Sequence, residues 1–215
     1  MPLLYDISQT LRPDLPVWPG DTAFDVSVSW AMDDNCPVLV SKLTLSTHSG
    51  SHADAPSHYD PAGDDMAHVD LLPYLGPCTI IEAPAGSDAV SLADIKPFLD
   101  HMNNIPKRLL IRTFDRFPHE NWPTDFRAID ADLIHYLGEH GCLLIGTDTP
   151  SLDPQTSKTM DAHNAIRAKK MAILEGLVLD GVPVGEFELI ALPLKIENAD
   201  ASPVRALLRE LPNDN

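Results

Sequence analysis

Residues 47–58 restrict the fold of this chain more than any other part of its sequence. The segment carries four side chains that can bind a metal ion: His48, His52, Asp54 and His58. In an extended strand, at about 3.3 Å per residue, His48 and Asp54 would lie about 20 Å apart. Two ligands of one zinc ion each place a donor atom about 2 Å from it. The segment must therefore curl back, and we expect a strand that ends in a metal-binding loop.

The residues between these side chains fit such a turn. Gly50 can adopt backbone angles that other residues avoid, and Pro56 cannot continue a regular strand. The alternative is that the four side chains are polar residues that form hydrogen bonds at the end of a strand. Three histidines and a carboxylate among small residues favour a metal site. Such ligands, without cysteine, are typical of a catalytic metal rather than of a structural zinc site.

A second group of candidate residues lies in the C-terminal half of the chain. His163 lies on an amphipathic stretch at 161–170, and Glu175 interrupts the apolar run 173–179. A carboxylate in a buried strand is costly unless it is paired or bound to a metal ion. Taken alone, Glu175 is equally a salt-bridge partner or a metal ligand. Together with the upstream histidines, the ligand role is favoured.

Length, charge and cysteine content limit the class of protein. At about 150 residues per domain, the 215 residues predict one domain, 1–215. The net charge of −17 repels phosphate backbones and anionic lipid, so we expect neither nucleic acid nor a membrane as a partner. Three scattered cysteines are too few for a disulfide framework or a cysteine-based zinc site. Without a signal-like or membrane-spanning segment, the expected location is the cytoplasm.

Hydrophobic periodicity predicts an α/β domain with a sheet-dominated core, without strict alternation of strands and helices. Alternation at 24–30 predicts a half-buried strand, and the β-branched segment 38–47 predicts a second strand that pairs with it. Further strands are predicted at 77–83, 108–113, 142–148, 171–177 and 187–194. Helices are predicted at 91–101 after a capping box at Ser91, at 130–140 before Gly141, and at 161–170.

Several segments resemble a known family. The pattern His48-x-x-x-His52-x-Asp54-x-x-x-His58 is similar to the signature of the cyclase-like metal hydrolases. Two further segments resemble the kynurenine formamidase (arylformamidase) branch of that family. They are Trp18-Pro19-Gly20-Asp21 and Thr147-Asp148-Thr149-Pro150-Ser151-Leu152-Asp153-Pro154. The resemblance extends over nearly the whole chain.

The resemblance implies a swivelling β/β/α fold and two zinc ions per subunit. His48, His52 and Asp54 would bind the first ion. His163 would bind the second, and Asp54 and Glu175 would bridge the two. Histidine and carboxylate ligands also accept manganese or cobalt, although affinity favours zinc over manganese.

The resemblance also implies a reaction, the hydrolysis of N-formyl-L-kynurenine to L-kynurenine and formate in tryptophan catabolism. His58 would be the acid/base, a role that suits a side chain with an ordinary pKa near 6.5. Trp18 would form a wall of the substrate pocket, since Pro19 and Gly20 place it in a loop and its ring offers a flat apolar face. We expect a homodimer.

Two other functions stay open. The first is hydrolysis of a related cyclic amide such as isatin, or of another aryl formamide. The second is a non-catalytic module that binds a metal ion or a ligand, which would have no need of an acid/base such as His58. A serine hydrolase is not supported, because the chain contains no G-x-S-x-G motif.

Overall fold

A computed structural model describes residues 3–83, 85–86 and 89–211. The strands in these ranges are β1 (Leu4–Asp6), β2 (Asp25–Trp30), β3 (Val40–Thr44), β4 (His52–Asp54), β5 (Leu75–Glu82), β6 (Arg108–Arg112), β7 (Leu144–Thr147), β8 (Ala172–Glu175), β9 (Gly185–Ile190), β10 (Ala201–Pro203) and β11 (Leu207–Glu210). The α-helices are α1 (Leu92–Leu99), α2 (Ala131–Glu139) and α3 (Asp161–Lys169), and short 3-10 helices lie at Pro56–His58 and Leu72–Tyr74. None of the described helices combines the length and the apolar character needed to cross a membrane.

Nine strands form one mixed sheet in the order β1-β11-β9-β5-β6-β7-β8-β4-β10. The central strands β5 to β8 are parallel, and the strands on both sides of them are antiparallel. Parallel neighbours need a crossover connection, and α1, α2 and α3 supply the three crossovers between β5 and β8. The predicted α/β architecture with a sheet-dominated core is confirmed.

The parallel strands are buried on both faces. On β6, Leu109 and Ile111 pack in the same hydrophobic cluster as Leu133 of α2. Leu110 points to the opposite face and packs in a second cluster that includes Ile7. Strands of this kind read as continuous apolar runs, which is why 108–113 and 142–148 are recognisable in the sequence.

The predicted helices are confirmed together with their ends. Ser91 and Asp94 form the capping box of α1, in which the Ser91 backbone N–H donates to Asp94 Oδ2 at 2.9 Å. Asp130 caps α2, and Gly141, with φ of +81°, follows its C-terminal end. Helix α3 begins differently, because Met160 before it adopts a left-handed conformation and gives no side-chain cap.

The segment 24–30 forms a strand that pairs with β3, as predicted, but it is not half-buried. β2 and β3 form a separate antiparallel hairpin. Val26, Val28 and Trp30 are 47%, 59% and 60% exposed. The alternation identified a strand correctly, but none of the other elements in the described ranges covers its apolar side chains.

The segment 47–58 curls back as predicted, but it is not simply a loop. The chain leaves β3 at Thr44, turns through Gly50 with φ of +65°, and enters the large sheet as β4. His52 and Asp54 therefore lie on a strand, which corrects the expectation of a loop at these two positions. Pairing with β8 on one side and β10 on the other holds them there.

Candidate metal centre

Strand pairing places three of the predicted ligands. His52 and Asp54 are two residues apart on β4, so their side chains point to the same face. His52 pairs directly with Glu175, the last residue of β8. All three residues are buried, with 2–3% exposure. The two-residue spacing of His52 and Asp54, together with the pairing of β4 and β8, therefore places the three polar side chains on one face of the sheet.

Three histidines from neighbouring segments complete the cluster. His48 lies in the turn before β4, and His58 lies in the 3-10 helix that follows it. His163 lies in the first turn of α3 and is 1% exposed. The structure thus brings together His58 and the five residues that the sequence proposed as ligands.

The two carboxylates each direct one oxygen to each side of the cluster. Asp54 Oδ1 lies 3.2 Å from His48 Nδ1 and 3.5 Å from His52 Nε2, and Asp54 Oδ2 lies 3.4 Å from His163 Nε2. Glu175 repeats this arrangement, with Oε2 3.4 Å from His52 Nε2 and Oε1 3.7 Å from His163 Nε2. The donor atoms thus form two groups, one around His48 and His52 and one around His163. Each group includes one oxygen of Asp54 and one oxygen of Glu175.

Several of these atoms are buried without a hydrogen bond. Within the described residues, His52 Nε2 and both carboxylate oxygens of Asp54 have no hydrogen-bond partner and almost no solvent exposure. An unsatisfied buried carboxylate is costly, whereas a metal ion between the donors would compensate it. Imidazole nitrogens and carboxylate oxygens are ligands of zinc. These residues therefore fit a metal ion.

Other polar groups orient two of the histidines by contacting the ring nitrogen that faces away from the cluster. Asp153 Oδ2 lies 2.6 Å from His163 Nδ1, and the Gly50 carbonyl oxygen lies 2.9 Å from His52 Nδ1. Both contacts leave Nε2 of the histidine facing the cluster, an arrangement common around protein metal sites. Sequence reasoning missed the role of Asp153, although this residue lies in the segment that carries the family resemblance.

Asp200 is a further acidic residue that sequence reasoning missed. Its Oδ2 lies 3.1 Å from His48 Nε2 and 3.2 Å from His58 Nδ1. Its Oδ1 accepts a hydrogen bond of 2.8 Å from the Thr47 hydroxyl. Nothing local marks this position, because its partners lie more than 140 residues away in the sequence.

Opposite charges shift the pKa values of His48, His163 and Asp54 strongly. Burial alone would lower the pKa of His48, but Asp54 and Asp200 raise it to about 9. Burial is likewise outweighed at His163, where Asp153 and Asp54 raise the pKa to about 10. Burial would raise the pKa of Asp54, but His163 and His48 hold it well below its usual value.

An aromatic cavity opens in front of the cluster. It has a volume of about 540 Å³ and is lined by His48, His52, His58, His163 and Glu175 together with Trp18, Phe114, Phe117 and Trp122. The Trp18 and Trp122 rings meet edge to face with centroids 5.5 Å apart. Trp18 thus lies at the cavity, as the sequence suggested. Trp122 is an additional wall that no sequence pattern indicated.

Comparison with known proteins shows relatives over the whole length. The Cyclase family model matches residues 5–154. The kynurenine formamidase of Maricaulis maris (strain MCS10) is 59% identical over 213 residues, covering 99% of this chain and all of the relative. The kynurenine formamidase of Erythrobacter litoralis (strain HTCC2594) is 50% identical over 210 residues, covering 98% and 95%.

Solved structures share the fold at lower identity. A potential metal-dependent hydrolase with cyclase activity superposes with a TM-score of 0.83 at 22% identity, over 99% of this chain and 100% of that one. Isatin hydrolase A from Ralstonia solanacearum gives a TM-score of 0.84 at 21% identity, over 98% and 92%. At this identity the likeness extends to the fold alone.

Proposed function

We propose, from the premise that the chain belongs to the Cyclase family and within it to the kynurenine formamidases, that it hydrolyses N-formyl-L-kynurenine to L-kynurenine and formate. The chain is an arylformamidase, a hydrolase of a linear amide C–N bond. One observation carries the proposal: two buried carboxylates divide their oxygens between two groups of histidines at an aromatic cavity.

The arrangement of the donor atoms supports a centre of two zinc ions. We take residues 1–215 as one hydrolase domain. His48, His52 and Asp54 would hold the first ion and His163 the second, with Asp54 and Glu175 shared between them. Histidine and carboxylate ligands also accept manganese and cobalt, but zinc binds more tightly than manganese to such a site. When bound, the metal ions supply Lewis acidity that lowers the pKa of water and polarises a carbonyl group.

His58 is the proposed acid/base. A ring nitrogen of His58 lies within 4.8 Å of the donor atoms of Asp54 and His163, which supports proton transfer by His58 at the cluster. It accepts a proton from the attacking water. It then donates a proton to the aryl nitrogen as the C–N bond breaks, which releases formate and the amine.

The aromatic walls support an aryl substrate. Trp18 and Trp122 stand at the cavity with their rings in edge-to-face contact. Their flat apolar faces would hold the benzene ring of the substrate and direct its formamide group to the histidine cluster. Positioning of this kind lowers the barrier because the reacting groups are held close together before the reaction begins.

Hydrolysis of a cyclic amide such as isatin is the second candidate. The observation in its favour is the fold shared with isatin hydrolase A from Ralstonia solanacearum, at 21% identity. The relatives that match at 50% and 59% identity are both named kynurenine formamidase. We therefore expect the linear formamide to be the preferred substrate.

The test compares the two substrates on one preparation. The zinc-loaded protein is given N-formyl-L-kynurenine or isatin, and kcat/KM is measured from the absorbance of each product. We expect N-formyl-L-kynurenine to be hydrolysed at least tenfold more efficiently. Asp54→Ala, purified in parallel, controls for a contaminating hydrolase, because it removes a proposed ligand of both ions. A higher kcat/KM for isatin would overturn the assignment.

The β2–β3 hairpin supports the proposal of a homodimer. Its exposed apolar side chains extend to the connection between the strands, where Met32 and Leu39 are 64% and 58% exposed. Exposed apolar surface of this kind marks an interaction site. We take a second copy of this chain as the occupant, because closed homodimers are the commonest assembly of soluble chains.

Free cysteines support a location in the cytoplasm. Cys36, Cys78 and Cys142 form no disulfide bonds. Burial raises the pKa of Cys78 to about 12 and that of Cys142 to about 11, so both thiols stay protonated and unreactive. Unpaired thiols are typical of proteins in reducing compartments.

A further inference from the structure

Asp200 joins two histidines of the cluster that have different proposed tasks. Its Oδ2 lies 3.1 Å from Nε2 of His48, a proposed ligand, and 3.2 Å from Nδ1 of His58, the proposed acid/base. We propose that Asp200 is a positioning residue that holds His58 in the tautomer needed for proton transfer. This proposal rests on the proposed function and adds a residue to its mechanism.

The backbone holds Asp200 close to Asp54. Asp200 directly precedes β10, whose first residue, Ala201, pairs with Asp54 on β4. The Asp200 carbonyl oxygen accepts a hydrogen bond of 2.8 Å from the Ala55 backbone N–H. The carboxylate is oriented in turn by the Thr47 hydroxyl, 2.8 Å from Oδ1. The sheet that places Asp54 therefore places Asp200 as well.

The carboxylate determines which nitrogen of His58 carries the proton. An ionised carboxylate accepts hydrogen bonds and cannot donate one, so Nδ1 of a neutral His58 must be protonated to contact Asp200. Its Nε2 then has a lone pair that can accept a proton from water. A carboxylate that orients a catalytic imidazole in this way also stabilises the imidazolium that forms, as in serine proteases.

The same carboxylate assigns the tautomer of His48. If His48 donates through Nε2 to Asp200, its Nδ1 is unprotonated and faces Asp54 Oδ1 at 3.2 Å. One carboxylate thus leaves one nitrogen of His48 available as a metal ligand and one nitrogen of His58 available for proton transfer.

Asp200 differs from the proposed ligands in exposure and in hydrogen bonding. Its side chain is 46% exposed, against 1% for that of Asp54. Both of its oxygens contact hydrogen-bonding partners, whereas both oxygens of Asp54 lack them. The competing interpretation is that Asp200 binds a metal ion together with His48 and His58, since donor atoms of the three lie within 4.8 Å of one another.

The deciding experiment reads the His58 tautomer directly. Zinc-loaded protein with 15N-labelled histidine is studied by two-bond 1H–15N correlation NMR at a pH where the ring is neutral. The His58 signals are identified by their loss in His58→Ala. We expect Nδ1–H for His58 in the wild-type protein. In Asp200→Ala we expect mainly Nε2–H, the tautomer that an unconstrained imidazole prefers.

A control and a second variant make this result specific. Glu197→Ala removes an exposed carboxylate three residues earlier in the same loop and should leave the His58 tautomer unchanged. If Asp200→Ala does not fold, the isosteric Asp200→Asn replaces it and should shift the tautomer in the same direction. Wild-type His58 protonated at Nε2, or an unchanged tautomer in the Asp200 variant, would overturn the proposal.

Kinetics at saturating zinc test whether Asp200 acts through His58. Losing such a positioning partner typically costs about 10–100-fold in activity, so Asp200→Ala should lower kcat by that factor and change KM less than twofold. In the His58→Ala background the same substitution should lower kcat less than twofold, because residues that act as one unit are not additive. Equal losses in both backgrounds would show that Asp200 acts independently of His58.

Two further outcomes separate the alternatives. Metal content that falls in Asp200→Ala at saturating zinc, while His58 keeps its wild-type tautomer, would make Asp200 a ligand and not a positioning residue of His58. A wild-type protein that does not hydrolyse N-formyl-L-kynurenine would refute the proposed function. The tautomer comparison would still decide the role of Asp200.

Discussion

Glu175 lies where the two proposed metal positions meet. Its Oε2 faces His52 and its Oε1 faces His163, while Oε1 also accepts a hydrogen bond of 2.8 Å from the Leu152 backbone N–H. Glu175 is 3% exposed and lies at the end of an otherwise apolar strand. A buried carboxylate in this position depends on positive charge nearby for its compensation.

We expect Glu175→Gln to weaken metal binding without weakening the fold. Glutamine keeps the volume of the side chain and an oxygen that can accept from Leu152, but it removes the charge that a bridging ligand supplies. Bound zinc, measured by mass spectrometry, should fall below the wild-type value. Above pH 10, where His163 has lost its proton, the melting temperature of the chelator-treated variant should be unchanged or higher, because a buried charge without a cationic partner is then absent.

The exposed Glu186 on β9 provides the matched control, since Glu186→Gln makes the same chemical change away from the cluster. It should change neither metal content nor melting temperature. Full metal occupancy in Glu175→Gln together with a destabilised chelated protein would identify Glu175 as a structural salt-bridge residue. The proposed pair of ions would then lack one of its bridges.

Sequence reasoning identifies those site residues whose signal is local. His48, His52, Asp54 and His58 lie within one short segment, and Glu175 interrupts an apolar run. Asp200 gives no comparable signal. It reaches the cluster through the pairing of β10 with β4, and strand pairing between distant segments is not encoded in a local pattern.

At the scale of elements, two tryptophans lie on surfaces with different proposed roles. Trp18 lies in a loop at the cavity, is 36% exposed and contacts Trp122. Trp30 lies on β2 of the exposed hairpin and is 60% exposed. The two substitutions to alanine therefore make the same chemical change at the proposed substrate wall and at the proposed dimer interface.

We expect each variant to change a different property, Trp18→Ala the binding of substrate and Trp30→Ala the stability of the dimer. Trp18→Ala should raise KM for N-formyl-L-kynurenine and leave the mass of the dimer in solution unchanged. Its melting temperature should stay close to wild type, since a core tryptophan would instead cost about 3–5 kcal/mol on truncation. Trp30→Ala should leave KM unchanged and weaken the dimer at least tenfold, because interface tryptophans are frequent hot spots.

Steady-state kinetics, melting curves and sedimentation at several protein concentrations check these results. A large fall in melting temperature with unaltered KM would show that Trp18 stabilises the fold and does not bind the substrate. A Trp30→Ala protein that dimerises as tightly as wild type would argue against the hairpin as the interface.

Element prediction from the sequence succeeds where a segment lies in a periodic pattern or a continuous apolar run, and fails for short segments that have neither. The helices and the parallel strands carry enough apolar residues to be recognised. Strands β1, β10 and β11 are three or four residues long and are held in place by distant partners, such as Tyr5 of β1 opposite Leu208 of β11. A segment of that length has no periodicity to detect.

At the scale of the whole molecule, the cluster links stability to pH. In the chelated protein, from which a chelator has removed any metal ion, His48 and His163 have pKa values raised to about 9 and about 10 by neighbouring carboxylates. The ordinary value in the unfolded chain is about 6.5. Protonation of these residues therefore stabilises the chelated fold in full below pH 6.5, and this contribution is lost as the pH rises through 9.

We expect the free energy of unfolding of the chelated protein to fall between pH 6.5 and pH 9. The depressed pKa of Asp54 does not affect this window, because its carboxylate is ionised throughout. The stabilisation by added zinc should increase over the same window, since the metal competes with protons for the histidine nitrogens. Denaturant unfolding with and without zinc at both pH values measures the two trends. A chelated protein that becomes more stable towards pH 9 would contradict this account.

The overall architecture is predictable from the sequence to the level of an α/β domain, but the separation of the hairpin is not. Segments 24–30 and 38–47 carry ordinary strand patterns, and the sequence predicts correctly that they pair. Whether their apolar residues are covered by the same chain or by another depends on the assembly, which local periodicity does not specify.

We propose that the cluster of histidines and carboxylates is the metal centre that performs the hydrolysis. The most direct test is stepwise zinc addition to the chelator-treated protein, with kynurenine formation measured at each step. We expect no turnover without metal, and activity that rises with bound zinc until two ions per subunit are reached. Asp54→Ala should stay inactive at every zinc concentration. Full turnover by protein that mass spectrometry shows to be free of metal would contradict the claim.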